Sequence, residues 1–110
     1  MGTIGKIVFR GYAKKENQRW VAICIDLNIA AQGETSKEAI KTCYELIEEY
    51  LEFVCHEYPN QLHKYIPRPA PQEFIDEYNS LMRPVLKNQP RKFPQKIWSY
   101  EPDNMAFCGA

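Results

Sequence analysis

Proline is absent from the first 58 residues of this 110-residue chain, and all eight prolines lie between Pro59 and Pro102. The opening stretch is therefore free to form unbroken strands and helices, whereas continuous sheet or helix is excluded from most of the chain beyond Tyr58. Glycines number only five and are dispersed, which leaves no phosphate-cradling loop and argues against a nucleotide cofactor. Net charge is lacking too, since 14 basic residues meet 14 acidic ones. Neutrality argues against generic polyanion binding and removes the self-repulsion that keeps like chains apart. No apolar run approaches the roughly 20 residues of a membrane helix. Lys6 also stands where a myristoylation signal at Gly2 would want Ser or Thr. A soluble protein with no membrane partner is expected.

The four cysteines, Cys24, Cys43, Cys55 and Cys108, form no CxxC pair and sit beside apolar residues. Reduced, mostly buried thiols and a cytoplasmic location are expected, with disulfides the alternative. His56 and His63 are the only imidazoles, and their spacing matches no zinc motif. Cys55 adjoins His56, but neighbouring helix positions point about 100° apart, so they form no nucleophile–base pair. No metal or cofactor is expected.

What the chain does contain is a change of period. Ile4 to Tyr12 reads as a strand, Lys14 to Arg19 as a polar hairpin connection, and Trp20 to Leu27 as a second strand. On that strand Val21, Ile23, Ile25 and Leu27 form one apolar row and Trp20, Ala22, Cys24 and Asp26 face the other way. The first row is the expected core face, and the second, if uncovered, an interface that motivates a homodimer or higher homo-oligomer. Ile29 to Gln32 is a short third strand of small residues that would let a helix come close. From Ser36 to about Tyr58 apolar residues recur at three- and four-residue steps, through Ile40, Cys43, Tyr44, Ile47, Leu51, Val54 and Cys55. The expected fold is α+β, a three- to four-stranded antiparallel sheet with one long helix on one face. Residues 1–58 make the β-β-β-α domain, and 59–110 a proline-rich wrapping segment of the same globular unit. Within that segment a helix is expected from Pro71 to before Pro84, with Phe74, Ile75, Tyr78, Leu81 and Met82 as its buried stripe, and a short strand over Ile97 to Tyr100.

Strand and long helix meet at Gly33-Glu34-Thr35-Ser36-Lys37-Glu38-Ala39. Thr35 is placed to cap the helix through the Glu38 N–H, with the Glu38 carboxylate reaching back to the Thr35 N–H, and Gly33 to supply backbone freedom. Together with Trp20-Val21-Ala22 and Asp26-Leu27, this junction resembles the HicB-like family of antitoxins and their stand-alone relatives, over about a third of the chain. The fold signature is carried by Trp20, Asp26, Gly33, Thr35, Glu38 and Ala39. The resemblance implies a partial ribonuclease H-like sheet, homo-oligomerisation and, in antitoxin members, binding of a small ribonuclease toxin. Antitoxin members usually append a DNA-binding module, and Pro84, Pro90 and Pro94 leave no room for a second recognition helix. A stand-alone or divergent member is the better match.

Two surfaces are candidates for contact. Glu45, Glu48, Glu49 and Glu52 form an acidic stripe opposite the buried face of the long helix, suited to a small basic protein such as a toxin. Arg83, Lys87, Arg91, Lys92 and Lys96, interleaved with Phe93, Trp98 and Tyr100, are the candidate nucleic-acid contact. Asp26 with Glu34 and Glu38 could be imagined as a two-metal nuclease site, but capping and strand-end roles account for them. The expected function is a non-enzymatic binding protein that masks or scaffolds another protein, with nucleic-acid binding through Arg83 to Lys96 as the alternative.

Overall fold

The computed structural model describes residues 8–86 and 96–102. Strands β1 (Phe9–Glu16) and β2 (Arg19–Cys24) pair antiparallel from Gly11↔Cys24 to Glu16↔Arg19, leaving Asn17-Gln18 as the whole loop. Their φ angles of 49° and 67° give the left-handed pair that lets a two-residue turn follow the twist of the strands. The polar run from Lys14 is thus mostly strand, because register is set by the turn and not by where polarity begins. β3 (Ile29–Gly33) pairs antiparallel with β2, and β4 (Lys96–Tyr100) antiparallel with β1, giving a four-stranded sheet in the order β3-β2-β1-β4. The expected beginning of the first strand, Ile4 to Ile7, lies outside the described residues.

Helix α1 (Ser36–Glu57) buries Ala39, Cys43, Ile47 and Leu51 against Phe9, Ala13, Ala22, Cys24, Ile29, Ala31 and Trp98 of the sheet. The two sides of β2 are therefore reversed from expectation. The Trp20, Ala22, Cys24 row receives the long helix, and Val21, Ile23 and Ile25 line the opposite face. Leu27, beyond the end of β2, is buried with the first group. Size explains the reversal: Ala13, Ala22 and Ala31 lie in register across three strands and keep the middle of that face low, so a 22-residue helix can settle along it between the larger Phe9, Ile29 and Trp98. Fully buried side chains such as Ile47 and Leu51 each contribute about 1.5–3 kcal/mol through loss of apolar surface to water.

Beyond Tyr58 the chain makes a single-turn helix, α2 (Leu62–Tyr65), then crosses to the far side of the sheet. Two backbone bonds tie down the crossing: Arg68 N–H donates to the Asp26 carbonyl at 2.8 Å and Ala70 N–H to the Ile25 carbonyl at 2.9 Å. Helix α3 (Gln72–Leu86) comes directly after Pro71, and its expected stripe, Phe74, Ile75, Tyr78, Leu81 and Met82, packs on Tyr12, Ile23, Ile25 and Ile97. The helix does not stop before Pro84 but runs to Leu86. Pro84 removes one i→i−4 donor, and so close to a helix end few later residues depend on that bond.

Gly11 sits in β1 opposite Trp98. A β-carbon there would overlap the Trp98 ring and the Ile23 carbonyl oxygen, of which only the ring can move aside. Gly11→Ala is expected to destabilise the protein by about 3 kcal/mol, read as a shift in urea midpoint. A change within experimental error would show that β1 and β2 are less closely held than their register implies.

Candidate functional site

The strand-to-helix junction folds as a capping motif. Thr35, at φ −128° and ψ 162°, accepts from the Glu38 N–H at 3.1 Å. The returning Glu38 carboxylate takes the Glu34 N–H at 3.2 Å, one residue earlier than the expected Thr35 N–H. Gly33 does not use its conformational freedom, since no glycine takes a positive φ among the described residues. It is needed for space, because a β-carbon would lie 2.6 Å from the Ala39 nitrogen. Ala39 is itself fully buried, and Trp20 packs half-buried against the same core.

Asp26 holds two parts of the chain together. Its carboxylate accepts from the Arg10 N–H at 2.7 Å and from the Arg10 guanidinium at 3.1 and 2.9 Å, while its carbonyl receives Arg68 N–H. The Arg10 guanidinium lies 5.7 Å over the Tyr78 ring of α3, and that of Arg68 lies 4.4 Å over Tyr50 of α1. Asp26, Glu34 and Glu38 are not brought together. No three His, Cys, Asp or Glu side chains are placed to hold a metal among the described residues.

A second polar cluster was not legible in the sequence. Glu77 of α3 accepts from the Tyr12 hydroxyl at 2.5 Å and from Lys14 Nζ at 3.0 Å, although more than sixty residues separate them. Burial, reinforced by the bond to Glu77, raises the Tyr12 phenol far above its ordinary range. Only the packing of α3 on the sheet creates this cluster, and it clamps that helix in place. His56 and His63 are both exposed.

The acidic stripe divides. Glu48 is half-buried and accepts from the Tyr100 hydroxyl, where Tyr100 stacks on Tyr44 at 4.5 Å. Glu45, Glu49 and Glu52 remain exposed along one side of α1, and no described cation pairs with them. The basic set also divides. Arg83 is exposed in the last turn of α3 and Lys96 is exposed at the start of β4, while Lys87, Arg91, Lys92 and Phe93 lie outside the described residues. Trp98 is core and Tyr100 is stacked on α1, so neither offers an open ring to a base. Lys96 instead joins Lys37 and Lys41 around Ile40 and Tyr44 in a shallow groove of about 490 Å³.

The thiols obey burial in part. Cys24 and Cys43 are free and buried, whereas Cys55 is disulfide-bonded, with its partner outside the described residues, against the expectation of reduced thiols throughout. No described helix is long and apolar enough to cross a membrane. Comparison of the chain with family models, curated proteins and solved structures finds no match.

Burial pushes the Cys24 thiol up to about 11 and the Cys43 thiol up to about 12, from an ordinary value of 9.0. A group raised in the folded state stabilises fully below its unfolded value, and that stability is lost as pH rises toward the folded one. Stability is accordingly expected to be flat up to about pH 8.5 and to fall between about 9 and 12, less steeply in a Cys24→Ala/Cys43→Ala variant. Urea midpoints across that range check it, and identical slopes for the two proteins would refute the assignment. Asp26→Asn removes the charge that Arg10 engages, and because that guanidinium is half-exposed the expected loss is about 1 kcal/mol, measured the same way.

Proposed function

We propose that the chain is a non-enzymatic binding protein of HicB-like type that works by contact with another protein. The observation that carries this reading is the row of exposed glutamates on α1, Glu45, Glu49 and Glu52, on a helix whose opposite side is locked into the core. Like charges at three- and four-residue spacing repel by a few tenths of a kcal/mol per pair. No described cation lies within ion-pair distance of the three, and a small basic partner would relieve the repulsion that Lys41, one turn before Glu45, leaves along the rest of the row. The helix that bears the row is packed into the core before binding, so the ordering cost of the contact is confined to the side chains. A β-β-β-α order with a capped junction is what the resemblance implies for such a protein, and toxin masking is the form the contact takes in its antitoxin members.

Nucleic-acid binding is the weaker reading, because the described aromatics of the basic segment are engaged in packing. The carboxylates singled out in the sequence have structural bonds, Asp26 to Arg10 and Glu38 to the Glu34 N–H, which favours contact over turnover.

Affinity purification of the full chain from its native cell, with mass spectrometry of the eluate, is expected to recover a small basic protein. Its affinity should fall with rising salt and weaken roughly tenfold or more in a Glu45→Lys/Glu49→Lys/Glu52→Lys variant. A partner retained undiminished by that variant, or an RNA recovered in its place, would overturn the proposal.

A further inference from the structure

Helix α1 changes sign along its length. Its exposed acids Glu45, Glu49 and Glu52 follow two exposed lysines, Lys37 and Lys41, which stand one turn apart near its start. Lys96 joins them from the far end of the chain, because alternation along β4 puts it on the same sheet face as Trp98 and Tyr100, the face that α1 covers. Three ammonium groups therefore rim one shallow groove of about 490 Å³.

These cations repel one another, and no described carboxylate lies within ion-pair distance of any of them. Of the acids nearest along α1, Glu38 is held on the Glu34 N–H and Glu48 on the Tyr100 hydroxyl. Glu45, one turn after Lys41, softens the repulsion at that residue alone. Between the lysines the floor is apolar. Ile40 is half-buried there, and Tyr44 offers ring, since its hydroxyl donates to the Ser99 carbonyl at 3.4 Å. An anion that carries an apolar side chain with it complements both features. We propose that this groove docks a short acidic segment of another protein, with one large aliphatic side chain seated on Ile40 and Tyr44 and its carboxylates on Lys37, Lys41 and Lys96.

Other anions fit less well. Single-stranded nucleic acid binds largely by stacking on open rings, whereas the Tyr44 ring is stacked on Tyr100 at 4.5 Å and set edge-on to Trp98 at 5.4 Å. An acyl chain needs a cavity that encloses most of its surface, and this groove is shallow. An extended peptide needs only one side chain accommodated. Access for it is open along the sheet edge, because β4 is an edge strand whose one described neighbour is β1. The site goes beyond the contact proposed for the acidic row, and it stands whether or not that row has a partner.

The test is fluorescence anisotropy of a labelled peptide, a single leucine flanked on each side by a pair of glutamates, titrated with the full chain. For so small a contact a dissociation constant on the order of 100 μM is expected at about 0.15 M salt. Lys37→Glu/Lys41→Glu/Lys96→Glu should weaken binding about tenfold or more, with an unchanged far-UV circular dichroism spectrum. Arg19→Glu/Lys64→Glu/Arg83→Glu makes the same change of net charge at exposed residues outside the groove and should weaken it less than about twofold. Two changes in the peptide check the geometry without altering the protein. Glutamine for glutamate should weaken binding about tenfold or more, and alanine for leucine about threefold or more. Absence of peptide binding, an affinity unchanged in the groove variant, equal losses in both charge variants, or indifference to the leucine would overturn the inference. So would tighter binding of an oligouridylate, or of phosphatidylserine vesicles, through the same three lysines.

Discussion

Because β2 alternates Trp20, Ala22 and Cys24 with Val21, Ile23 and Ile25, the sheet is apolar on both faces, and each face must be covered before the fold is stable. One helix cannot do both. The long helix takes the face whose middle is kept low by Ala13, Ala22 and Ala31, and the branched row is left for whatever the rest of the chain can bring round. The proline-rich half supplies α3 for that purpose. The crossing is held where it passes the sheet end, by Arg68 and Ala70 on the Asp26 and Ile25 carbonyls and by Asp26 on Arg10.

This constraint determines which surfaces are left for function. With both sheet faces occupied, the described surfaces left open include the outer side of α1 and the shallow lysine groove at Lys37, Lys41 and Lys96. Polar residues that could suggest chemistry are drawn into holding the layers: Asp26 at the crossing, Glu38 at the helix start, Glu77 between α3 and the sheet, and Glu48 beneath Tyr100. Glu45, Glu49 and Glu52 keep no such bond, and the proposed contact uses them.

Much of the fold was legible because it is local. The period of α1 through Cys43, Ile47, Leu51 and Val54, the Thr35 cap, and the stripe of α3 each depend on residues within a few turns of one another, and each is found in place. The departures have physical reasons of their own. Hydrophobicity ranks the Val21, Ile23, Ile25 row above the Ala22, Cys24 row, but a long helix needs a low strip to lie along more than a strongly apolar surface. The polar run from Lys14 to Arg19 reads as a long connection, yet an exposed strand end tolerates the same residues as a loop. Of the candidate site, the acidic row was visible as spacing, whereas the loss of Glu48 to Tyr100 and of Trp98 to the core was not.

What the sequence determined by itself is the four strands, the two longer helices, their order and the Thr35 cap that starts α1, since these are set by interactions over three or four residues, whereas the single turn of α2 was not legible. What only the tertiary structure decided is the pairing of distant groups: Tyr12 and Lys14 with Glu77, Arg10 with Asp26, and α3 with the face opposite α1. Contacts across tens of residues are chosen by shape and by the burial of surface, and one-dimensional spacing carries no record of either.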